Sequence, residues 1–465
     1  MSTLSEGVSN VAALAFIALW CLMMVFCGVG TYLIRVRHSR SPASSPLTPS
    51  TTPGVTILRP LKGVDCNLLD NLSSSFRQDY PLYELIFSVA DQNDPAIEIV
   101  KELMRQYPEV DAKLIIGDVD VGVNPKVNNM LRGYQNAKYD IIWILDSNVH
   151  INPGCMGRSV SELMHPGIGL VHHLPCGVSP QTYGSYLEQA FLNTAHAKMY
   201  ITINKVALAS CVIGKSNMFR KSVLAQLGGL ENYGKYMSED NIIGEAIWKL
   251  GLRHRMTTDV AYQTLGGLSV PDYFKRRARW IRIRKYTVLT ATLLEPFTES
   301  ILNGFLAAWA FHRMLHVSAS LFLLAHFTIW ISSDWIIATT LDTATRREAK
   351  KFLRAWCIRE LAALPLWISA MAGSTVEWRG KLFWLNTDGT VAPACQGSRV
   401  RYCRRFLERW WPGAVVGKWM GKASVVKEGL VEGVKAGIVS SSANIKATEL
   451  ADVAEPLLVV IPGRH

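Results

Sequence analysis

At 465 residues the chain is long enough for one large domain with membrane segments attached. Apolar residues make up 49%, charged residues only 18%, and mean hydropathy is +0.15, which argues against a purely soluble enzyme. Net charge is +12, yet there is no helix-turn-helix, zinc-finger or RNP-type pattern, so a membrane surface and a phosphate-bearing substrate account for the charge better than nucleic acid does.

Val11–Ile34 carries no charge and is long enough to cross a bilayer core of roughly 30 Å. It lacks a charged n-region and a small-residue cleavage site, so it reads as an uncleaved anchor. Arg35, Arg37, His38 and Arg40 follow at once, which puts residues 1–34 at a lumenal N-terminus and in the anchor, with the rest facing the cytosol. Residues 35–53, rich in Ser, Thr and Pro, read as a linker. From residue 54 to 272 strands and helices alternate. Strands are expected at Val55–Leu58, Glu84–Val89, Ala112–Ile116, Ile141–Leu145, Ile168–His172, Leu208–Ile213 and Leu252–Thr257. Helices are expected at Leu68–Phe76, Pro95–Tyr107, Pro153–Met164 and Tyr183–Tyr200, with another after Ser238, a plausible N-cap. Ile141–Leu145 is apolar throughout, as an interior strand of a mostly parallel sheet should be. The pattern predicts an α/β domain with its ligand at the carboxyl ends of the strands.

Residues 273–295 hold a run from Arg276 to Lys285 with six cations, one Trp and no acid, and Tyr273–Val288 can form a cationic helix in the membrane plane. Residues 296–373 contain three apolar segments, Ile301–Phe311, Leu315–Ile337 and Phe352–Ala372, of which only the second is plainly long enough to span. The basic block Arg346–Lys351 and the basic tail within 374–465 both suit the cytosol, so an even number of crossings is expected between the catalytic domain and each. The nine cysteines show no CxxC pair, which argues against a zinc site and a disulfide framework.

Three carboxylates stand at element ends. Asp91 follows the second strand and either caps a turn or contacts a nucleotide, with Asp94 the better candidate for the cap. Asp146, in Asp146-Ser147-Asn148, follows the most apolar strand, where one carboxylate can hold Mg2+ or Mn2+ on a diphosphate, with Asn148 at a position that would suit a second acid. Asp240, at a helix start, can act as general base with an ordinary pKa of about 4, or simply suit the helix dipole. The polar loop Asn124–Asn129 can bring Lys126 to a phosphate or be a solvated turn.

These acids, followed by Arg276-Arg277-Ala278-Arg279-Trp280, resemble the D, D, D, (Q/R)xxRW signature of membrane-bound inverting glycosyltransferases of the GT-A fold. Pro60–Asp65, Asn124–Asn129, Ala137–Asp140, Gly228–Leu230 and Glu377–Arg379 narrow the resemblance to the ceramide glucosyltransferase family, over about residues 53–390. That resemblance implies a Rossmann-like GT-A domain that transfers glucose from UDP-glucose to the primary hydroxyl of ceramide, with inversion, at a Golgi membrane with the catalytic domain facing the cytosol. It implies that Asp91 contacts the nucleotide, Asp146 the metal-bound diphosphate, and Asp240 the ceramide hydroxyl. Arg276, Arg279 and Trp280 would hold the leaving UDP. His196 matches a family histidine on the acceptor side, although a histidine packed in an apolar helix is the plainer reading. A dolichyl-phosphate or processive transferase is the rival within enzymes, and a scaffold protein is the rival outside them. Oligomeric state is left open.

Overall fold

The computed structural model describes residues 2–38, 52–378 and 381–394. Of the linker expected over 35–53, residues 35–38 instead continue the N-terminal helix, because the apolar run before them carries the helix on; residues 39–51, 379, 380 and the basic tail from 395 lie outside the described residues.

The apolar N-terminal run forms α1 (Ser2–His38), with Arg35, Arg37 and His38 in its last turn, where cations suit the helix dipole. Then β1 (Val55–Leu61), α2 (Leu68–Phe76), β2 (Tyr83–Val89), α3 (Ala96–Gln106), β3 (Asp111–Ile116), α4 (Pro125–Gln135) and β4 (Ile141–Leu145) alternate. β1 pairs in parallel with β2 on one side and β4 on the other, and β3 runs parallel beyond β2. Strand order reverses at β1 and β4, and the crevice at their carboxyl ends is where such sheets bind ligands. All of β4 is buried, because helices cover both faces. Side chains alternate: Ile57, Phe87 and Trp143 face α2, α3 and α5 (Cys155–Leu163), whereas Leu58, Ile86 and Ile142 face α4.

After β4 come β5 (Val149–His150), α5, β6 (Ile168–Pro180), α6 (Tyr183–Phe191), α7 (Ala197–Val206), β7 (Ser216–Arg220), α8 (Lys221–Ala225), α9 (Glu239–Lys249) and β8 (Arg253–Gly266). They complete a mixed eight-stranded sheet in the order β3-β2-β1-β4-β7-β6-β8-β5. This is the α/β, Rossmann-like arrangement expected.

Four local expectations are corrected. Leu208–Ile213 is not a strand: Val212 is buried by packing, but the ladder begins only at Ser216, so burial there comes without pairing. Asn124–Asn129 is not a loop. Asn124 caps α4 by accepting from the N–H groups of Lys126 and Val127, and Pro125 takes the first turn, where it lacks no useful N–H. Ser238 precedes α9 but its side chain makes no capping bond. The helix from Tyr183 is interrupted by a π-turn at Leu192–His196, a feature that concentrates at functional sites.

The remainder comprises α10 (Val270–Thr287), α11 (Leu289–Leu294), a 3-10 turn (Glu295–Thr298), α12 (Ser300–Leu315), α13 (Ala319–Leu341), α14 (Ala349–Ala372) and a small antiparallel sheet of β9 (Thr375–Trp378), β10 (Lys381–Leu385) and β11 (Val391–Pro393). Among the described residues α1, α13 and α14 are long and apolar enough to cross a membrane, so the expectation that only the segment at α13 had the length is corrected. α12, at 16 residues, reaches only ~24 Å. A buried knot joins these helices: Lys198 pairs with Asp334 at 2.9 Å, the Trp356 indole donates to Asp334 at 2.8 Å, and Arg359 pairs with Glu299 at 2.9 Å and with Glu360. Charges at such depth persist only when paired. One end of α14 meets the α/β part and the other meets α10. Lys351 donates to the Tyr186 hydroxyl at 3.2 Å at one end, and Lys285 donates to the Met371 carbonyl at 2.7 Å at the other.

Candidate active site

Arg59 sets the base of the crevice. Its guanidinium is fully buried and donates to the carbonyls of Asn71 (3.0 Å), Asp146 (2.9 Å) and Val149 (2.6 Å), and to the Ser75 hydroxyl (2.6 Å). It thereby fixes the turn that carries Asp146. Ser147 adds a short hydrogen bond to Asp65.

The Asp146 carboxylate lies between two ammonium groups. Lys126 reaches one oxygen and Lys215 the other, each at 2.9 Å. Burial opposes the charge on Asp146, but the two cations outweigh it and hold the carboxyl well below the usual range. Lys215 was not foreseen. It immediately precedes β7, and because Ser216 pairs with Leu145, the antiparallel register sets Lys215 across from Asp146. Placing a strand at Leu208–Ile213 concealed that register. Asn148 accepts from Lys215 at 3.1 Å. Burial depresses the Lys215 ammonium, Asp146 opposes this, and nearby Arg276 adds to it.

Lys126 also pairs with Glu239 at 3.1 Å and donates to the Gly214 carbonyl at 3.3 Å. Asn124 donates to the other oxygen of Glu239 at 2.8 Å, so the cap of α4 grips the start of α9. This places Asp240 beside the lysine cluster. Burial, followed by the Glu239 charge, pushes Asp240 up to about 7 against the pull of Lys126, which corrects the expected value near 4. Gly214 gives this carboxylate room: a Cβ there would come within 2.8 Å of an Asp240 oxygen.

α10 closes the cluster from the other side. Arg276 pairs with fully buried Glu188 of α6 at 3.1 Å and lies under Trp280, 5.4 Å from the ring centre. Arg279, one helical turn on from Arg276, is partly exposed. Trp280 stands 6.4 Å from His196 and 6.4 Å from Phe191. His196 stacks on Tyr200 at 5.3 Å, and burial, then Arg277 and Arg284, push it down to about 3. It is therefore a neutral, packed ring at physiological pH, and no proton transfer is assigned to it.

Asp91 stays apart. It is exposed at the end of β2 and accepts from the Asn93 N–H at 2.9 Å. Asp94 makes the tie, accepting from the N–H groups of Gly63 and Ala96. The fold thus gathers Asp146, Lys126, Asp240, Arg276 and Trp280 around one crevice and leaves Asp91 exposed at the end of β2.

The expected Mg2+ or Mn2+ needs one carboxylate beside the diphosphate oxygens, and Asp146 is the residue that would hold it. Both oxygens of Asp146 bind ammonium groups in this arrangement. A divalent ion would have to displace Lys126 or Lys215.

The profile of glycosyl transferase family 21 matches residues 19–391. The chain belongs to this family. A ceramide glucosyltransferase of Komagataella phaffii is 36% identical, with 82% of this chain and 92% of the relative covered. One from Gibberella zeae is 32% identical (81% and 92% covered), and ceramide glucosyltransferase 3 of Caenorhabditis elegans is 29% identical (82% and 83% covered). The match to family 21 takes in β1 to β10 and every residue of the crevice. As a family 21 glycosyltransferase the chain transfers a sugar.

Proposed function

We propose that this chain transfers glucose from UDP-glucose to the primary hydroxyl of ceramide, giving β-glucosylceramide with inversion. The observation that carries this reading is the meeting of one carboxylate, Asp240, with the cations Lys126, Lys215 and Arg276 in a single crevice. The full names of the relatives supply the sugar and the lipid.

Asp91 takes the nucleoside, and the diphosphate lies over Lys126, Lys215, Arg276 and Arg279, under Trp280. The Asp240 carboxylate accepts the proton of the ceramide hydroxyl as its oxygen forms a bond to the anomeric carbon. The bond from that carbon to the diphosphate oxygen breaks on the opposite face, and UDP leaves with the electron pair. Fixed cations stabilise the charge that develops on the leaving group. The charge that a metal would supply is thus provided by lysine and arginine side chains of this chain.

The membrane arrangement suits both substrates. α1, α12 and α13 form the bundle in the bilayer, while the contacts at both ends of α14 keep that helix beside the catalytic domain at the membrane surface. We infer that this surface is cytosolic and that the membrane is the Golgi's, where a soluble, anionic sugar nucleotide and a lipid approach from different phases. The purified chain, incubated with UDP-glucose and ceramide, should yield a glycolipid whose anomeric proton shows the large coupling of a β-glucoside. Equal product from UDP-galactose, or an α-linked product, would refute the reading.

A further inference from the structure

The small sheet after α14 carries Glu377 and Trp378, and the transfer chemistry gives it no part. Its strands run in the order β11-β10-β9, antiparallel throughout. The outer side of β11 is not free. Val391 donates its N–H to the Lys235 carbonyl at 3.1 Å, and Thr390 pairs with Tyr236 in a single antiparallel bridge. Residues 235–237 thus lie along β11 as a short extra edge, and Asp240 follows three residues after Met237. The opposite edge belongs to α10. Arg282 donates to the Thr375 carbonyl of β9 at 2.9 Å, and Lys285 donates to the Met371 carbonyl, just before β9, at 2.7 Å. One apolar cluster closes the space between the two edges: Met237, Val376, Phe383 and Val391 are buried together, and Ile283 of α10 and Val123, just before the cap of α4, pack against them.

We propose that this sheet is a strap that sets the span between Asp240 and the cations of α10, with Arg282 and Val391 as its positioning residues. The inference rests on Asp240 being the base and on Arg276 and Arg279 holding the diphosphate, as proposed above. Neither Arg282 nor Val391 touches a reacting atom. Each acts through the element that it holds.

The chemistry needs such a spacer. The base stands on α9 and the leaving-group cations on α10, so the long strand β8 separates them in the chain. An attacking oxygen must come within about 3–3.5 Å of the anomeric carbon, and a misplacement of ~1 Å can cost ~100-fold in rate. Hydrogen bonds fix neighbouring strands about 4.8 Å apart, so three strands make a spacer of defined width, ~10 Å from β9 to β11. The strap is built from chain that follows α14, so the span of the site depends on a segment outside the α/β part.

The test uses the full chain in phosphatidylcholine nanodiscs. Val391→Pro removes the donor to Lys235 and spares the ladder to β10, because that N–H points to the outer side. Arg282→Met combined with Lys285→Met frees the other edge. Each variant should lose about tenfold or more in kcat, while the ceramide KM and the UDP-glucose Kd stay within about threefold of wild type. Both cut the same strap, so all three substitutions together should lose no more than about threefold beyond the worse variant. Losses that multiply would overturn the proposal, as would wild-type kcat in both variants. Amide hydrogen exchange gives a readout that needs no turnover. The Arg282→Met, Lys285→Met variant should exchange about threefold faster or more across residues 234–242, in which neither replaced side chain has its partner, while β1 to β4 keep wild-type protection. Unchanged exchange across 234–242, or a loss shared equally by β1 to β4, would overturn the strap. If the wild type makes no glucosylceramide, the functional reading fails, and the exchange result alone decides on the strap.

Discussion

Asp240 combines two opposed demands. A general base serves best with a pKa near the working pH, and burial beside Glu239 supplies that shift. Its proton must be absent for catalysis, so kcat/KM should fall tenfold per pH unit as pH drops below about 7, with a flat region above, read from a pH profile of the free enzyme. The same shift has a cost in stability. The folded state holds this proton more tightly than the unfolded chain, so between the unfolded value near 4 and the folded value near 7 the contribution of Asp240 to stability falls as pH rises. Asp240→Asn removes that cost. The variant should lose roughly 100-fold or more in kcat yet unfold a few degrees above the wild type at pH 8 by differential scanning fluorimetry. Lys215 carries the complementary prediction. Lys215→Met should raise the UDP-glucose KM by about tenfold or more, since a charge-assisted contact is lost. EDTA should lower the wild-type rate less than tenfold, in keeping with a diphosphate held by side chains; complete loss on chelation, restored by Mn2+, would return the metal to Asp146.

Among the elements, the parallel half of the sheet was legible because its signal is simple: short apolar runs, each followed by a polar turn, at β1 to β4. Asp91 and Asp146 could be placed at strand ends on that basis alone. What escaped was governed by contacts distant in sequence. α4 opens with Asn, Pro and two further Asn residues, a composition poor in helix propensity, yet Asn128 and Asn129 pair with the carbonyls of Gly122 and Leu61 and so belong inside a helix. Lys215 became visible only through the pairing of β4 with β7, and the raised Asp240 only through the burial that α4 and α9 create together. Arg59, apparently one more polar residue at a strand end, anchors the Asp146 turn. Arg59→Ala removes the buried guanidinium that bridges the carbonyls of Asn71, Asp146 and Val149 and should destabilise the α/β part by about 3–5 kcal/mol in urea titration.

For the whole molecule, part of the charge excess that first pointed to a membrane surface lies around the crevice and along α10 and α14, and part in the basic tail. The helices then divide by contact rather than by length. α14 is as long as a spanning helix, yet Lys351 near one end bonds to Tyr186 of α6 and Met371 near the other to Lys285 of α10. In sealed vesicles with the catalytic domain outward, cysteines introduced at Arg347 and Lys62 should therefore react with an impermeant maleimide, and one at His316 should react only after detergent is added. Labelling of Arg347 only after detergent would contradict the arrangement.

The central claim is that Asp240 deprotonates a ceramide hydroxyl attacking UDP-glucose. Its most direct test is transfer from radiolabelled UDP-glucose to ceramide by purified wild type and Asp240→Asn, with UDP-glucose binding measured on the same samples. The account predicts labelled glucosylceramide from the wild type, almost none from the variant, and equal binding by both. Transfer by Asp240→Asn at the wild-type rate would contradict it.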